Sequence, residues 1–193
     1  MNVNLIIESL NANKFMRSGE EVMSFDLALA ELALHPNSEY LPALYLVFDD
    51  RCEQHEVMYG LIHFLESFEL KDQLQAFIDS IDRMIVNAKE WTMIILYGIL
   101  NQDLARDLYS QMLHSTHSQN RDLCTHLLRE IVANESPPLS SHAESVISGA
   151  TAIAINIDEV QRDLSSFLKL IQEGNILVLL QDDRPIAEIK PIK

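Results

Sequence analysis

Residues 1–135 of this chain contain very few of the residues that interrupt helices. Glycine and proline occupy only five of these positions, Gly19, Pro36, Pro42, Gly60 and Gly98, while leucine, isoleucine, methionine and alanine are abundant. Because glycine and proline are the poorest helix formers, this composition favours long helices. Apolar residues also recur at the spacing of a helix face. The sequence therefore predicts helices at residues 3–10, 19–34, 40–48, 54–67, 71–81, 88–101, 103–113 and 119–133.

The breaks between these segments are short, as at residues 35–38 and 101–103. Short connections make consecutive helices antiparallel neighbours. We therefore expect a mainly α fold in which antiparallel helical hairpins form an irregular stack. No fixed period with a recurring signature is visible, so a HEAT-like array and a compact bundle both remain open.

The last part of the chain has a different pattern. A stretch rich in proline and serine begins near residue 134 and predicts the end of the last helix and a linker. Beyond it, a β-prone run leads into Asn156, whose side chain with that of Glu159 predicts a helix start, and Gly174 predicts its end. Two further apolar runs flank a turn. We expect a helical domain at 1–135, a linker at 136–149 and a small α/β strand, helix and hairpin module at 150–193.

The charge of the chain is strongly acidic. Its formal net charge is -15 over 193 residues, and residues 150–193 contain seven acidic against five basic residues, so most of the excess lies before residue 150. Such a surface repels nucleic acid and attracts basic proteins. A hydrophobic fraction of 48% is ordinary for a packed core, so the chain should be globular.

Signals for secretion or membrane insertion are absent from the sequence. The first residues lack a basic region ahead of an apolar one, and the longest apolar stretch, 91–100, is too short to span a bilayer. Cys52 and Cys124, without a targeting sequence, fit reduced thiols packed in a core. We therefore expect a cytoplasmic protein.

Three runs in the helical part carry a family resemblance. They are Met58-x-x-x-Ile62-His63-x-x-Glu66, Lys89-Glu90-Trp91 and Ile99-Leu100-Asn101. In this order and separation they resemble the immunity protein 30 family over roughly residues 5–115. That family is found beside polymorphic toxins of competing bacteria, as in contact-dependent growth inhibition. The resemblance implies an antitoxin that neutralises a cognate toxin by binding it.

The C-terminal module resembles a second family. The residues that carry this resemblance are the run Ile157-Asp-Glu-Val-Gln161, Leu164, Leu168, Glu173-Gly174 and the run Asp183-Arg-Pro-Ile-Ala187. They are similar to the N-terminal half of Phd/YefM-type antitoxins, in which this unit dimerises and binds operator DNA and a further segment wraps the toxin. With Lys193 as the last residue, we expect no toxin-wrapping segment here. The resemblance implies a possible homodimer through residues 150–193.

The charge of the module bears on DNA binding. Asp182 and Asp183 lie in the predicted turn, and the module as a whole has more acids than bases. Phosphate contacts require local positive charge, so this balance opposes DNA binding and favours dimerisation or docking. DNA-binding residues are left unassigned.

Two acidic clusters are candidates for contact with a toxin. Asp49, Asp50, Glu53 and Glu56 lie around one predicted interhelical turn, and Glu66, Glu69 and Asp72 lie around the next. One interpretation is a phosphate-mimicking face that steers a basic nuclease toxin at a high association rate. The other is an ordinary solvated surface.

The motif residues are further candidates. His63 and Glu66 are three residues apart on one helix face and can pair, either to contact a toxin or to support packing. Glu90 and Trp91 open a helix, and Trp91 is the single tryptophan. Tryptophan is enriched at interface hot spots, but a lone tryptophan is more often a core residue.

Motifs for catalysis or cofactor binding are missing. The sequence has no Gly-x-Ser-x-Gly, P-loop or Gly-x-Gly-x-x-Gly run, and neither cysteine has the setting of an activated nucleophile. His114 and His117 have the spacing of a metal pair, but no third ligand lies near them, which favours a surface turn. We predict no enzyme activity, cofactor or metal. The preferred hypothesis is an immunity protein, and the alternative is a toxin-responsive transcriptional autorepressor.

Overall fold

The structure is a computed structural model that describes residues 3–116, 118–173, 175–182, 184–189 and 191–192. It confirms a mainly α fold followed by a small α/β module. The helices of the first part are α1 Val3–Asn13, α2 Gly19–Ala33, α3 Leu41–Tyr45 after a 3-10 turn at Ser38–Tyr40, α4 His55–Leu65, α5 Leu70–Asn87, α6 Lys89–Asn101, α7 Asp103–Ser115, α8 Ser118–Asn134 and α9 Leu139–Thr151.

Helix α2 shows how local sequence sets a helix start. The Ser18 hydroxyl oxygen accepts a hydrogen bond from the Glu21 N–H at 3.2 Å, and the Glu21 carboxylate accepts one from the Arg17 N–H at 2.8 Å. These two bonds satisfy backbone donors that have no partner within the helix. The chain therefore leaves α1 and enters α2 at a defined residue.

Helix α5 is the centre of the helical part. On its apolar face, Phe77, Ile78 and Ile81 are fully buried. The helix packs against α3, α6, α7 and α8. In a simple solenoid each repeat contacts only its neighbours, so this arrangement is a compact bundle of hairpins and not a regular HEAT-like array.

The segment predicted as a linker is largely helical. Helix α9 spans Leu139–Thr151 and buries Ala143, Val146 and Ala150 against a surface formed by α6, α7 and α8. The packing is close, because a Cβ atom at Gly149 would collide with the Ser110 hydroxyl. Proline and serine suit the first turn of a helix as well as a linker, which is why composition alone did not reveal α9. The division into domains stays a prediction.

The C-terminal module has the predicted order of strand, helix and hairpin. Its elements are β1 Ile153–Asn156, α10 Ile157–Arg162, α11 Leu164–Gln172, β2 Leu177–Gln181 and β3 Arg184–Ile189. Strand β2 lies in the middle of the sheet, parallel to β1 and antiparallel to β3. As predicted, Asn156 caps the first helix, accepting a hydrogen bond from the Asp158 N–H at 3.0 Å.

The helix of this module is divided in two. At Asp163 the backbone leaves the helical conformation, with φ -141°, and the carboxylate accepts hydrogen bonds from the Ser166 N–H at 3.0 Å and the Ser166 hydroxyl at 2.6 Å. Aspartate is a strong capping residue, so it starts α11 where the apolar spacing alone predicted continuity. The predicted helix end at Gly174 and the turn residue Asp183 lie outside the described residues.

None of the helices in the described ranges combines the length and the apolar character needed to cross a lipid bilayer.

Candidate functional site

A groove about 540 Å³ in volume lies between α4 and α6. The two helices meet near their N-termini, where the Trp91 ring centroid is 5.2 Å from that of His55 and 5.3 Å from that of Tyr59. Beyond this contact, α4 and α6 form the walls, and the starts of α5 and α7 complete the groove. Its lining includes Tyr45, Tyr59, Ile62, His63, Glu66, Phe68, Leu70, Leu74, Ile94, Ile95, Gly98, Ile99, Gln102 and Leu104.

The inner end of the groove is apolar and shielded from water. Tyr45 is buried there, and its hydroxyl donates a hydrogen bond to the Gln73 carbonyl at 3.2 Å. Burial raises the pKa of the Tyr45 hydroxyl well above its usual value, and the negative charge of Glu66 raises it further. The charge of Glu66 therefore acts on the interior of the groove.

The rim carries the predicted pair of His63 and Glu66. The His63 Nδ1 atom lies 3.2 Å from the Glu66 Oε2 atom, and the side chains are 74% and 50% exposed. An exposed pair of this kind contributes little to stability. Because both side chains are exposed, a partner can reach them at the mouth of the groove.

The first acidic cluster does not form one surface. The Asp49 side chain is 0% exposed. Its Oδ2 atom forms ion pairs with Lys14 Nζ at 3.1 Å and with Arg51 Nη2 at 2.8 Å. The hydrogen bonds from Arg51 are the main reason why the pKa of the Asp49 carboxyl lies well below its usual value. Asp49 is thus a buried acceptor inside the domain, where a partner cannot reach its side chain.

Asp50 has a different structural role. Its Oδ2 atom accepts a hydrogen bond from the Glu90 N–H at 3.1 Å, and its Oδ1 atom accepts one from the Trp91 N–H at 3.3 Å. Ala88, which precedes α6, has no side chain that can cap the helix. Asp50 supplies this cap from a distant loop and joins the two parts of the chain that contain predicted site residues.

Trp91 lies in the core. It is 1% exposed, and its ring centroid is 5.6 Å from that of Phe48. Within the described part of the chain, its buried indole N–H has no hydrogen-bond partner. This burial favours the core interpretation of the tryptophan. The remaining predicted residues, Glu53, Glu56, Asp72 and Glu90, are exposed, and their role in partner binding stays a prediction.

A basic cluster was missed from the sequence. The charged groups of Arg17, Arg51 and Lys14 lie 4.5, 4.7 and 5.6 Å from the centroid of the Phe15 ring. Such cation–π contacts hold three positive charges around Phe15, and two of them, on Lys14 and Arg51, pair with Asp49. The acidic surface of the chain is therefore interrupted at this point, which a count of charges along the sequence does not reveal.

The sequence model of the immunity protein 30 family matches residues 12–109, just over half of the chain. The chain belongs to the immunity protein 30 family. The match confirms the predicted resemblance, and the family establishes an immunity protein whose partner is a cognate toxin. No curated protein and no solved structure matches the chain.

Several of the residues that carry the family resemblance of this immunity protein meet at the groove. Ile62, His63 and Glu66 of the first motif and Ile99 of the third line it. The sequence predicted His63 and Glu66 but not Ile94, Ile95 and Leu104, because an apolar residue gives no indication of whether another helix covers it. The family match does not reach residues 150–193, and the resemblance of that module to Phd/YefM antitoxins stays a prediction.

The metal-binding and nucleophilic groups considered in the sequence can be located in the described part of this immunity protein. Among the described residues, no group of three or more histidine, cysteine, aspartate or glutamate side chains is placed to hold a metal ion. His114 is exposed at the end of α7, and His117, the other member of the predicted pair, lies outside the described residues. Burial raises the pKa of both the Cys52 and the Cys124 thiols, which opposes a nucleophilic role.

Proposed function

We propose that this chain acts in the cytoplasm, without catalysis, by binding a basic nuclease toxin directly and blocking its access to nucleic acid. The observation that carries this proposal is the net charge of -15, most of it before residue 150, on a member of a toxin-neutralising family. The exposed carboxylates of Glu53, Glu56, Asp72 and Glu90 are the proposed steering charges.

The physical basis is that a nucleic-acid substrate and an acidic inhibitor both carry negative charge, which is complementary to the same basic surface of a nuclease. A nuclease must present positive charge to the phosphates of its substrate, and an acidic inhibitor is attracted to the same surface. Steering of this kind raises the association rate and falls as salt increases. Because a single free toxin molecule turns over repeatedly, the complex needs a Kd of about 1 nM or less, roughly 12 kcal/mol of binding free energy.

The test uses the product of the adjacent upstream gene as the partner. Both proteins are purified, and nuclease activity on DNA and RNA is measured as the full chain is added. We expect loss of activity at a one-to-one ratio and an association rate that falls steeply with salt. Failure of the two proteins to bind contradicts the proposed function. Binding to a product without nuclease activity contradicts the nuclease assignment alone.

A second proposed function is transcriptional autorepression through residues 150–193. It is supported by the observed order of strand, helix and hairpin, and by the exposed Leu164 and Leu168, which lie four residues apart on α11 and offer an apolar contact for a homodimer. The acidic balance of the module opposes this alternative. Retardation of the upstream DNA by the full chain, with a steep salt dependence, supports it, and the absence of retardation rejects it.

A further inference from the structure

We propose that the groove between α4 and α6 receives an apolar side chain of the cognate toxin beside Gly98, and that this side chain belongs to a segment with lysine or arginine neighbours. The proposal rests on the toxin-binding function above. It assigns the docking site and the chemistry of the toxin segment that enters it.

Gly98 is the first observation. It lies in the interior of α6 and lines the groove, and a Cβ atom placed there would meet no described atom within 4 Å. Glycine inside a helix is less stable than alanine, and here no packing contact requires it. The absence of a side chain leaves the groove open at this point and lets another chain approach the helix closely.

The apolar wall around Gly98 is the second observation. Leu104 at the mouth is 80% exposed, Tyr59 is exposed, and Ile94 and Ile95 are only partly buried. Apolar side chains gathered at an exposed concave surface are typical of a binding site. An apolar side chain in the groove would remove this surface from water.

The charge around the mouth selects the partner. Glu66 lies on the rim, and the exposed Glu69 stands between two groove residues, Phe68 and Leu70. The exposed Lys71 offsets part of this charge, whereas Arg106 already donates to Asp103 at 2.7 Å. On a chain with a net charge of -15, the favoured occupant is basic. A second copy of this chain would bring like charges together.

The experiment compares two substitutions at one position. Gly98→Leu places a large apolar side chain in the part of the groove beside α6, and Gly98→Ala is the matched control that leaves this part open. Both suit a helix interior. Kd is measured by calorimetry with a catalytically inactive form of the upstream gene product. We expect Gly98→Leu to weaken binding by about tenfold or more and Gly98→Ala by less than about twofold, with both variants folded as judged by thermal unfolding.

Two further variants complete the test, one at an apolar position and one at the acidic rim. Leu104→Ser removes an exposed apolar contact without loss of core packing, and weaker toxin binding by this variant supports the groove. Val86→Ser, at an exposed position on α5 that does not line the groove, is its control. The charge component is tested by Glu66→Gln with Glu69→Gln, which should lower the salt dependence of the association rate.

The outcomes separate the two proposals. If the wild-type chain binds the upstream gene product and Gly98→Leu and Leu104→Ser bind it equally well, the groove proposal is overturned while the toxin-binding function stands. If the wild-type chain does not bind, the proposed function fails and the groove proposal fails with it. A wild-type dimer that Gly98→Leu converts to a monomer, as measured by light scattering, would assign the groove to a second copy and overturn the proposal.

Discussion

The carboxylate of Asp50 caps the helix that begins at Lys89, because it accepts a hydrogen bond from the backbone N–H of Trp91 at 3.3 Å. The same carboxylate accepts a hydrogen bond from the Glu90 N–H, and the Asp50 N–H donates one to the Asn87 carbonyl at 2.8 Å. A loop residue thus holds α6 beside the Trp91 contact that closes one end of the groove. Asp50 supports the site through this position, and its role in partner binding stays a prediction.

Replacement of Asp50 by alanine should destabilise the fold. The two N–H groups at the start of α6 lose their acceptor, and loss of a helix cap costs about 0.5–2 kcal/mol. The free energy of unfolding in urea measures the effect, and Asp50→Asn should recover most of it. The control is Glu53→Ala, at an exposed neighbour, with an expected change within about 0.5 kcal/mol. Equal effects of the two alanine variants would reject the capping role.

Asp49 should make stability depend on pH. The pKa of the folded Asp49 carboxyl lies below the ordinary aspartate value of 3.8, so its ion pairs contribute stability that is fully present above that value and is lost as the pH falls toward the folded pKa. The unfolding free energy should therefore begin to decrease as the pH falls below about 4 and should continue to decrease toward the folded pKa. In Asp49→Asn this decrease should be smaller, because the titrating carboxyl is gone.

The same Asp49→Asn variant should be less stable than the wild type at neutral pH. The charged acceptor for Lys14 and Arg51 is replaced by a neutral one, and hydrogen bonds to charged groups contribute about 1.5–3 kcal/mol. Exposed Asp72→Asn is the matched control and should show neither effect. An unchanged pH profile in Asp49→Asn would contradict the assignment of the titration to this carboxyl.

Trp91 should report on the core. As the only tryptophan, buried against Phe48, it should fluoresce at short wavelength in the folded chain and shift to longer wavelength on unfolding. Trp91→Ala should cost about 3–5 kcal/mol of unfolding free energy. Trp91→Phe, which keeps an aromatic ring, should cost less. If the native protein emits at the long wavelength of an indole exposed to water, Trp91 is not buried.

Gly98→Ala should raise stability. Glycine in a helix interior is about 0.8–1 kcal/mol less favourable than alanine, and the new methyl group meets no described neighbour. The expected rise in Tm is about 2–4 °C, measured by calorimetry. The comparison position is Gly149, where alanine should destabilise because its Cβ would collide with Ser110. A lower Tm for Gly98→Ala would show that the groove wall is already filled.

Truncation should show that α9 belongs to the helical part. A chain ending at Thr151 keeps the buried Ala143, Val146 and Ala150 on α9, whereas a chain ending at Ser141 removes them and exposes the surface they cover. The shorter chain should have the lower Tm or fail to fold, measured by thermal unfolding followed by circular dichroism. Toxin capture by the chain ending at Thr151 would make the C-terminal module an accessory.

The sequence predicted helices correctly where apolar residues recur regularly over a long stretch. It failed where a capping residue or a tertiary contact decides where a helix begins or whether it forms. Spacing predicted a helix at 71–81 because one apolar face repeats there, although α5 continues to Asn87. It did not predict the break at Asp163, where a side chain competes for backbone donors. Helix α9 was missed because its stability comes from packing on α6, α7 and α8 and not from a strong local signal.

The candidate site was predicted only in part, because adjacent carboxylates do not share an environment. Asp49 and Asp50 follow each other in the chain, yet one enters the core to meet Lys14 and the other caps α6, forty residues further on. His63 and Glu66 were predicted as a pair because a helix brings residues three apart together whatever surrounds it.

The sequence by itself determined the helical class, the acidic excess and the family, since local spacing, total charge and motif order are properties that can be read along the chain. Only the tertiary structure decided which carboxylates reach the surface and that Gly98 and Ile95 lie on an uncovered wall. Burial and hydrogen bonding depend on neighbours in space, and an apolar helix face does not specify whether another helix will cover it.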